Sequence, residues 1–276
     1  MTSTINSDEG IGRNSPEGVI DRLKAGKLVI GLNARHSRTA EAAAIFKDCG
    51  YDFLFLDDEH SPIPSGIAYE LSLAAVRNGI TPMVRARRNE PADIGCHFSN
   101  GALGVFVPHV EDRADAERAV RSSRFAPRGN LSVPGFLPQL GYTSIPAHEA
   151  TARLNEMHVV AVMIESGEAI SNIDNIAAVN GVDVLFMGLH DITHDLGLQG
   201  QYESPRIKEA IVQVCQAARR NGKYAGIGGV KSNSMWEFCV AQGMRFLLVE
   251  NDLHMLVARA TERARYFKSI SLEDKP

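Results

Sequence analysis

Apolar residues in this chain occur in short runs that alternate with helix-like patterns. Residues 29–34 and 53–56 are apolar nearly throughout, which is typical of parallel strands buried on both faces. Between such runs, segments such as residues 65–78 repeat apolar residues at helical spacing and stop at a glycine. The alternation continues to a last helix, predicted over residues 253–269. The pattern therefore indicates an α/β protein with a parallel sheet.

The alternation predicts eight strands, each followed by a helix. The predicted strands are residues 29–34, 53–56, 82–85, 105–107, 158–165, 183–191, 224–227 and 246–249. Their number favours one closed (β/α)8 (TIM) barrel over an open doubly wound sheet, and no G-x-G-x-x-G follows the first strand. We expect residues 18–276 to form this single domain and the polar residues 1–17 to form a flexible tail.

Composition argues against several classes of function. The net charge of −4, with both signs interspersed, gives no basic surface for nucleic acid. No apolar run reaches membrane-spanning length, and the amino-terminal segment lacks the apolar core of a signal peptide. The four cysteines form no C-x-x-C pair. We therefore expect a cytoplasmic protein with reduced thiols that binds neither nucleic acid nor a membrane.

Two carboxylates end two successive predicted strands. Glu165 ends the fifth apolar run and Asp191 ends the sixth. Because consecutive parallel strands have their carboxyl ends at one edge of the sheet, we expect the two side chains to meet there. A hard divalent cation prefers such oxygen ligands, but acidic residues also cap the helices that follow strands. The residues alone leave both interpretations open.

Polar residues, and one glycine, follow the remaining strands. In chain order they are Asn33, Asp57, Glu59, His60, Arg85, His109, Gly228 and Asn251. In a barrel of this type, the active site lies at the carboxyl ends of the strands. A Pro- and Gly-rich segment, residues 127–147, is too long for an ordinary connection, which is typical of a functional loop.

Four motifs resemble those of the metal-dependent (class II) pyruvate aldolases, which include hydroxy-oxoheptanedioate and dehydro-deoxyglucarate aldolases. They are FLFLDDEH, PMVRARRNEP, VMIESGEA and FMGLHDITHDLG, in this order, and the resemblance spans residues 31–267. It implies a (β/α)8 barrel with a carboxyl-terminal helix exchanged between subunits. It also implies a homohexamer, assembled as a trimer of dimers.

The resemblance implies roles for individual residues as well. Glu165 and Asp191 would hold a divalent metal ion, which would be magnesium, manganese or cobalt. Arg85 would bind the enolate oxygen and the substrate carboxylate, and His60 would be the acid–base group. The substrate-binding positions would be Arg85, Gly188, Leu189, His190, Asp191 and Gly228. The supporting positions would be Asp57, Glu59, Ser99 and Met163.

The implied reaction suits these residue types. A carbon–carbon lyase of this kind cleaves a hydroxy-oxo acid, or forms it from an oxo acid and an aldehyde, through a pyruvate enolate. The enolate oxygen is negative and needs positive charge placed in advance, which a metal ion and Arg85 would supply. The aldol hydroxyl needs a proton acceptor, and histidine titrates near neutral pH. Backbone N–H groups around residues 188–191 would bind the substrate carboxylate.

Several positions depart from the family pattern. Ser99 stands where an aspartate usually orients the catalytic histidine, and Met163 stands where a glutamine is usual. The usual Gly-Pro-x-Asp has become Gly188-Leu189-His190-Asp191, and Gly228 replaces a bulky apolar residue. We therefore expect the metal and enolate machinery to be kept. We also expect a remodelled proton shuttle and an aldehyde pocket with room for a larger or aromatic acceptor.

The departures leave alternatives to an aldolase. A related decarboxylase or synthase could use the same enolate, and a catalytically weak barrel could bind only the metal or a carboxylate. A Schiff-base aldolase would need a lysine, and Lys231 is the one lysine near the strand ends. The Gly-rich segment around it, IGGVKSN, could instead hold a phosphate. The motifs favour the metal-dependent aldolase over these alternatives.

Overall fold

The computed structural model describes residues 18–61, 63–133 and 135–271, and its described part is a closed barrel of eight parallel strands. The strands lie in chain order around the barrel, and the first pairs with both the second and the eighth. This architecture confirms the predicted (β/α)8 fold. The expected tail, residues 1–17, lies outside the described residues.

Each of the predicted strands is present. The strands are β1 (Val29–Asn33), β2 (Phe53–Asp57), β3 (Thr81–Arg85), β4 (Gly104–Val107), β5 (Val159–Ile164), β6 (Val184–Gly188), β7 (Tyr224–Gly228) and β8 (Phe246–Asn251). The strands β2, β4, β5 and β6 are buried along their whole length, as expected where a sheet is covered on one side by helices and filled on the other by its own side chains.

Helices surround the barrel. They are α1 (Val19–Lys24), α2 (Glu41–Asp48), α3 (Ser65–Asn78), α4 (Pro91–Ser99), α5 (Arg113–Ser123), α6 (Ala147–Met157), α7 (Gly167–Ser171), α8 (Ile173–Ala177), α9 (Leu189–Asp195), α10 (Pro205–Arg220), α11 (Asn233–Gln242) and α12 (Asp252–Lys268). The sequence pattern did not predict α1, α6 or α9, and it predicted α7 and α8 as one helix. These elements are short or polar; α6, for example, buries only Leu154 and Asn155, so it has no apolar stripe to reveal it.

Four phenylalanine rings form the centre of the barrel interior. Phe53 and Phe246 stack with centroids 4.5 Å apart, and Phe106 meets Phe186 edge-on at 4.8 Å. Gly31 allows this packing, since a Cβ there would lie 2.1 Å from the ring of Phe53. The rings are fully or almost fully buried, and burying each contributes roughly 1.5–3 kcal/mol. This packed interior supports the strand ends on which the candidate site is built.

The long connection at residues 127–147 lies at the end of the barrel where the strands begin. It leads from the end of α5 to the start of α6, and α6 in turn leads to the start of β5. Its short 3-10 turn, Pro138–Leu140, is held by Gln139, which donates to the carbonyls of Phe98 and Ala102 at the end of α4. Within one chain the segment therefore supports the face opposite to the strand carboxyl ends.

Helix α12 extends from the barrel with most of its side chains exposed. Among its residues only Asp252 is buried, while Leu256, Val257 and Phe267 are more than half exposed. Beside β8, a groove of about 540 Å³ runs over the barrel where an eighth helix would pack. The groove is lined by Leu28, Trp236, Glu237, Val240, Ala241, Leu247 and Val249. No helix in the described ranges is long and apolar enough to span a membrane.

Candidate active site

Charged residues gather at the carboxyl ends of β2 to β6. Asp57 and Arg85 are the last residues of β2 and β3, and their Cα atoms are partners in the parallel ladder. Glu59 and His60 follow in the loop after β2, and Glu165 follows β5. The sequence-predicted positions thus lie on one end of the barrel, as the fold requires.

Arg85 is held in place by two carboxylates. Its Nε donates to Oδ1 of Asp57 at 2.9 Å and its Nη2 donates to Oδ2 at 2.7 Å, while its Nη1 lies 3.1 Å from Oε2 of Glu59. Burial alone would raise the pKa of Asp57, but the hydrogen bonds and charge of Arg85 hold that pKa below its usual value. The pair is therefore charged at neutral pH and fixes the plane of the guanidinium.

His60 stands at the entrance of the site. Its side chain is 61% exposed, and its Nε2 lies 3.8 Å from Oε2 of Glu59. Asp57 also shapes this loop, since its Oδ1 accepts from the N–H groups of Glu59 and His60. One carboxylate thus positions both Arg85 and the segment that carries His60.

Glu165 is a buried carboxylate beside β6. Its Oε2 accepts from the backbone N–H of His109 at 3.0 Å. Gly188 allows its close approach, because a Cβ at that position would lie 2.9 Å from Oε1. Burial raises the pKa of Glu165, and the charge of Asp191 raises it further, against opposing contributions from His109 and Arg85. A buried carboxylate that faces a second carboxylate is destabilised without a cation.

Asp191 lies in a helix and not at the end of a strand, which corrects the sequence interpretation. β6 ends at Gly188, and Asp191 occupies the first turn of α9 with its side chain exposed. An aspartate there is favoured by the positive end of the helix. It is still near enough to Glu165 for the two charges to interact. The two carboxylates are thus close enough to interact by charge, although a helix presents one of them.

These two carboxylates fit a hard divalent cation. Both supply oxygen ligands, and among the described residues the cationic group nearest to the buried carboxylate is Nδ1 of His109, at 3.7 Å. The described residues contain no group of three or more His, Cys, Asp or Glu side chains that could hold a metal by themselves. A cation between Glu165 and Asp191 would therefore keep several water ligands, as magnesium commonly does.

Ser99 and Met163 differ in their placement relative to these groups. Ser99 is the last residue of α4, which runs from the site towards the other end of the barrel. It lines a groove of about 610 Å³ between α4, α5 and residues 130–132. Met163 is buried in the barrel interior, two positions before Glu165 and therefore on the same face of that segment. The supporting roles of Ser99 and Met163 stay predictions.

Gly228 does not open the space that the sequence suggested. A Cβ at this position would lie 3.0 Å from Cζ of Phe186, so that ring already occupies the room a side chain would need. At the neighbouring strand end, Nδ1 of His190 lies 2.9 Å from the hydroxyl of Tyr202. Burial, with the charge of Lys231, lowers the pKa of His190, which favours its neutral form.

His109 and Asp252 are structural contributors whose roles the sequence did not reveal. The imidazole of His109 has Nε2 3.2 Å from Glu59 and Nδ1 3.7 Å from Glu165. The carboxylate of Asp252 accepts the N–H groups of three successive residues, 35–37, and so fixes the loop after β1. A buried carboxylate just after a strand was visible in the sequence as Asn251-Asp252, but its partners lie more than 200 residues away.

Comparison with known proteins decides the family. The sequence profile of the HpcH/HpaI aldolase/citrate lyase family matches residues 34–257. The chain belongs to this family. The resemblance drawn from four motifs is thereby confirmed, and with it the expectation of an aldolase, a carbon–carbon lyase.

This HpcH/HpaI member is similar to characterised aldolases over nearly its whole length. It is 34% identical to the 4-hydroxy-4-methyl-2-oxoglutarate aldolase of Hapsidospora irregularis, a match covering 93% of this chain and 96% of the relative. It is 30% identical to the 4-hydroxy-2-oxo-heptane-1,7-dioate aldolase of Shigella boydii, with 92% and 96% covered. Its fold matches the crystal structure of an HpcH/HpaI aldolase from Desulfitobacterium hafniense with a TM-score of 0.88, at 25% identity, covering 95% of this chain and 100% of that one.

Proposed function

We propose that this HpcH/HpaI aldolase cleaves and forms 4-hydroxy-2-oxo acids through a pyruvate enolate, with a divalent cation at Glu165 and Asp191. One observation carries the proposal: the buried guanidinium of Arg85 and the buried carboxylate of Glu165 share the barrel mouth and interact by charge. Two relatives whose names specify 4-hydroxy-2-oxo diacids support the substrate class.

Arg85 is suited to bind the enolate oxygen and the carboxylate of pyruvate. Three of its five N–H groups are directed at Asp57 and Glu59. The remaining two, on the terminal nitrogens, can donate to the substrate. Because the guanidinium is already fixed, it needs no reorganisation as negative charge develops on the enolate oxygen.

The cation would complete the charge balance of the site. When bound, a divalent ion supplies positive charge next to the enolate oxygen and acts as a Lewis acid. Glu165 and Asp191 would hold it. Arg85, which interacts with Glu165 by charge, would then face the substrate next to the cation.

His60 is the proposed acid–base group. Its exposed imidazole stands at the entrance, where the aldol hydroxyl would lie once Arg85 holds the pyruvate half. In cleavage, His60 would accept the hydroxyl proton as the carbon–carbon bond breaks and the aldehyde leaves. In the reverse direction it would return the proton to the new alkoxide oxygen. Asp57 keeps the loop of His60 in position.

Subunit assembly is proposed from the apolar surfaces of the barrel. The apolar residues of α12 are exposed, and no described helix of this chain covers the groove beside β8, where an eighth helix would pack. We infer that α12 of a second copy fills the groove, so that two subunits exchange their last helices. This arrangement buries both surfaces and is consistent with dimers that assemble further into a hexamer.

The direct test is the release of pyruvate from candidate substrates. The protein loaded with Mg²⁺ or Mn²⁺ is incubated with 4-hydroxy-4-methyl-2-oxoglutarate or 4-hydroxy-2-oxo-heptane-1,7-dioate, and pyruvate is measured by coupled reduction to lactate. Turnover of either diacid supports the proposal. Oxaloacetate is tested in parallel, and release of pyruvate from oxaloacetate but from neither diacid would instead identify a decarboxylase that uses the same enolate. If none of the three compounds releases pyruvate, the proposal is contradicted.

A further inference from the structure

His109 adopts a backbone conformation that a side chain disfavours. Its φ is 52°, in the left-handed region, and of the described non-glycine residues it shares that sign only with Tyr142. The side chain of an ordinary residue crowds its own backbone there, and such residues concentrate at functional sites. Glycine would occupy the position without strain. A histidine at this position therefore needs an explanation, which the contacts of its imidazole provide.

Two groups of His109 face one oxygen of Glu165. The backbone N–H donates to Oε2 at 3.0 Å, and Nδ1 of the ring lies 3.7 Å from the same oxygen. The other oxygen, Oε1, lies over Gly188 at the end of β6, where the absence of a side chain leaves room for it. Glu165 is thus held through Oε2, and Oε1 remains without a hydrogen bond from any described residue.

The opposite nitrogen of the imidazole reaches the arginine side of the site. Nε2 lies 3.2 Å from Oε1 of Glu59. The second oxygen of Glu59 lies 3.1 Å from Nη1 of Arg85. One side chain, on the loop after β4, therefore links the carboxylate proposed to bind the cation with the carboxylate that supports the arginine.

We propose that His109 is a positioning residue that fixes Glu165 for cation binding and braces Glu59 against Arg85. This inference rests on the proposed function, because it concerns the same cation site. The left-handed backbone is kept because it lets the N–H and the imidazole of one residue converge on Glu165. Residues that orient a metal ligand typically contribute about 10–100-fold to metal affinity.

The inference is tested by the affinity of the full-length protein for Mn²⁺, measured calorimetrically without substrate. His109→Gly keeps the N–H and relieves the backbone strain, but it removes the imidazole. We expect its Kd for Mn²⁺ to rise about tenfold or more, while the melting temperature of the metal-free protein stays the same or rises. His109→Asn, which tolerates the left-handed region and can place its amide nitrogen near the position of Nδ1, towards Glu165, should recover part of the affinity.

Tyr142→Gly is the matched control. Tyr142 has a φ of 57°, and its hydroxyl pairs with Tyr69 of α3, so the substitution relieves the same strain away from the site. Its Kd for Mn²⁺ should equal that of the wild type. Unchanged affinity in both His109 variants would overturn the inference about His109 but not the proposed function. A His109→Gly protein that melts far below the wild type would do the same. A wild type that binds no divalent cation would overturn the proposed function itself.

Discussion

Asp57 and Arg85 form a two-point ion pair across neighbouring strands. Their Cα atoms are partners in the β2–β3 ladder, and the two hydrogen bonds measure 2.9 and 2.7 Å. Arg85 is itself buried, which would lower its pKa, but Asp57, Glu59 and Glu165 raise that pKa above the usual value. The guanidinium therefore stays charged, and its orientation is set before a substrate arrives.

Arg85→Lys should reduce kcat for aldol cleavage by about 10²-fold, the typical loss when one preorganised donor to an oxyanion is removed. Lysine keeps the charge, but a single ammonium cannot bind both oxygens of Asp57 in one plane and also donate to the substrate. Steady-state release of pyruvate measures the change. Arg87→Lys is the control, because Arg87 pairs with Asp58 on a half-exposed surface and should retain wild-type turnover. Equal activity in both variants would place the enolate elsewhere.

Removal of the divalent cation should abolish turnover. Excess chelator is expected to stop pyruvate release, and added Mg²⁺, Mn²⁺ or Co²⁺ should restore it, because the cation held by Glu165 and Asp191 would supply the Lewis acid for the enolate oxygen. Borohydride added with pyruvate should leave the protein mass unchanged. A trapped pyruvate adduct on Lys231, together with full activity in chelator, would favour a Schiff-base aldolase instead.

Leu256→Glu should weaken the assembly. Leu256 is 57% exposed on α12, on a stripe that also contains Val257 and Phe267. If this stripe packs in the groove of a second copy, a charge there must be buried unpaired, and the mass measured by light scattering after gel filtration should fall. Ala258→Glu, on the opposite face of the helix, is the control and should keep the wild-type mass. A wild type that is monomeric, or a Leu256→Glu protein of wild-type mass, would contradict helix exchange.

His158 gives the fold a pH dependence separate from the site. Burial, followed by the charge of Arg124, lowers its pKa to about 3, and its Nε2 has no hydrogen-bond partner in the described structure. Its ring stacks on Phe98 at 4.1 Å. Folded His158 stays neutral at mild acidity, whereas an unfolded histidine takes up a proton below about pH 6.5. The stability it contributes is thus complete above that pH and is lost as the pH falls towards 3.

His158→Phe should remove this acid sensitivity. For the wild type, lowering the pH from 7 to 4.5 should reduce the free energy of unfolding through this residue by about 2–3 kcal/mol, since two pH units below the unfolded pKa correspond to that amount. The variant keeps an aromatic ring against Phe98 and should lack this contribution. Urea unfolding at both pH values measures the difference. The same loss of stability in both proteins would mean that the buried histidine is not the cause.

The sequence predicted the eight strands because their apolar runs are continuous and bounded by glycine. It failed for α6 and α9, where local composition does not decide the structure. α6 is polar with almost no buried face, and α9 begins directly at the end of β6, so the run from Val184 to Asp191 looked like one strand. Where a strand passes into a helix without a turn residue, the apolar pattern alone cannot place the boundary.

The candidate site was predictable where the motif and the strand end coincide. Asp57, Arg85 and Glu165 sit at strand ends and lie where the sequence places them. The role of His109 was not predictable, because its conformation and its contacts with Glu59 and Glu165 depend on three separate loops. For Ser99, the family pattern suggested a role near His60, and the structure places it at the end of α4, so that role stays a prediction.

Enolate formation at a cation-loaded site is tested most directly by hydrogen exchange at the methyl group of pyruvate. Pyruvate is incubated in deuterated water without aldehyde, and deuterium uptake is followed by mass spectrometry for wild type and Glu165→Gln. We expect rapid exchange in the wild type with Mg²⁺, its loss on chelation, and a reduction of about 10²-fold or more in Glu165→Gln, as when a metal's Lewis-acid role is removed. Exchange at the full rate in excess chelator, or in Glu165→Gln, would contradict enolate formation at a cation held by Glu165.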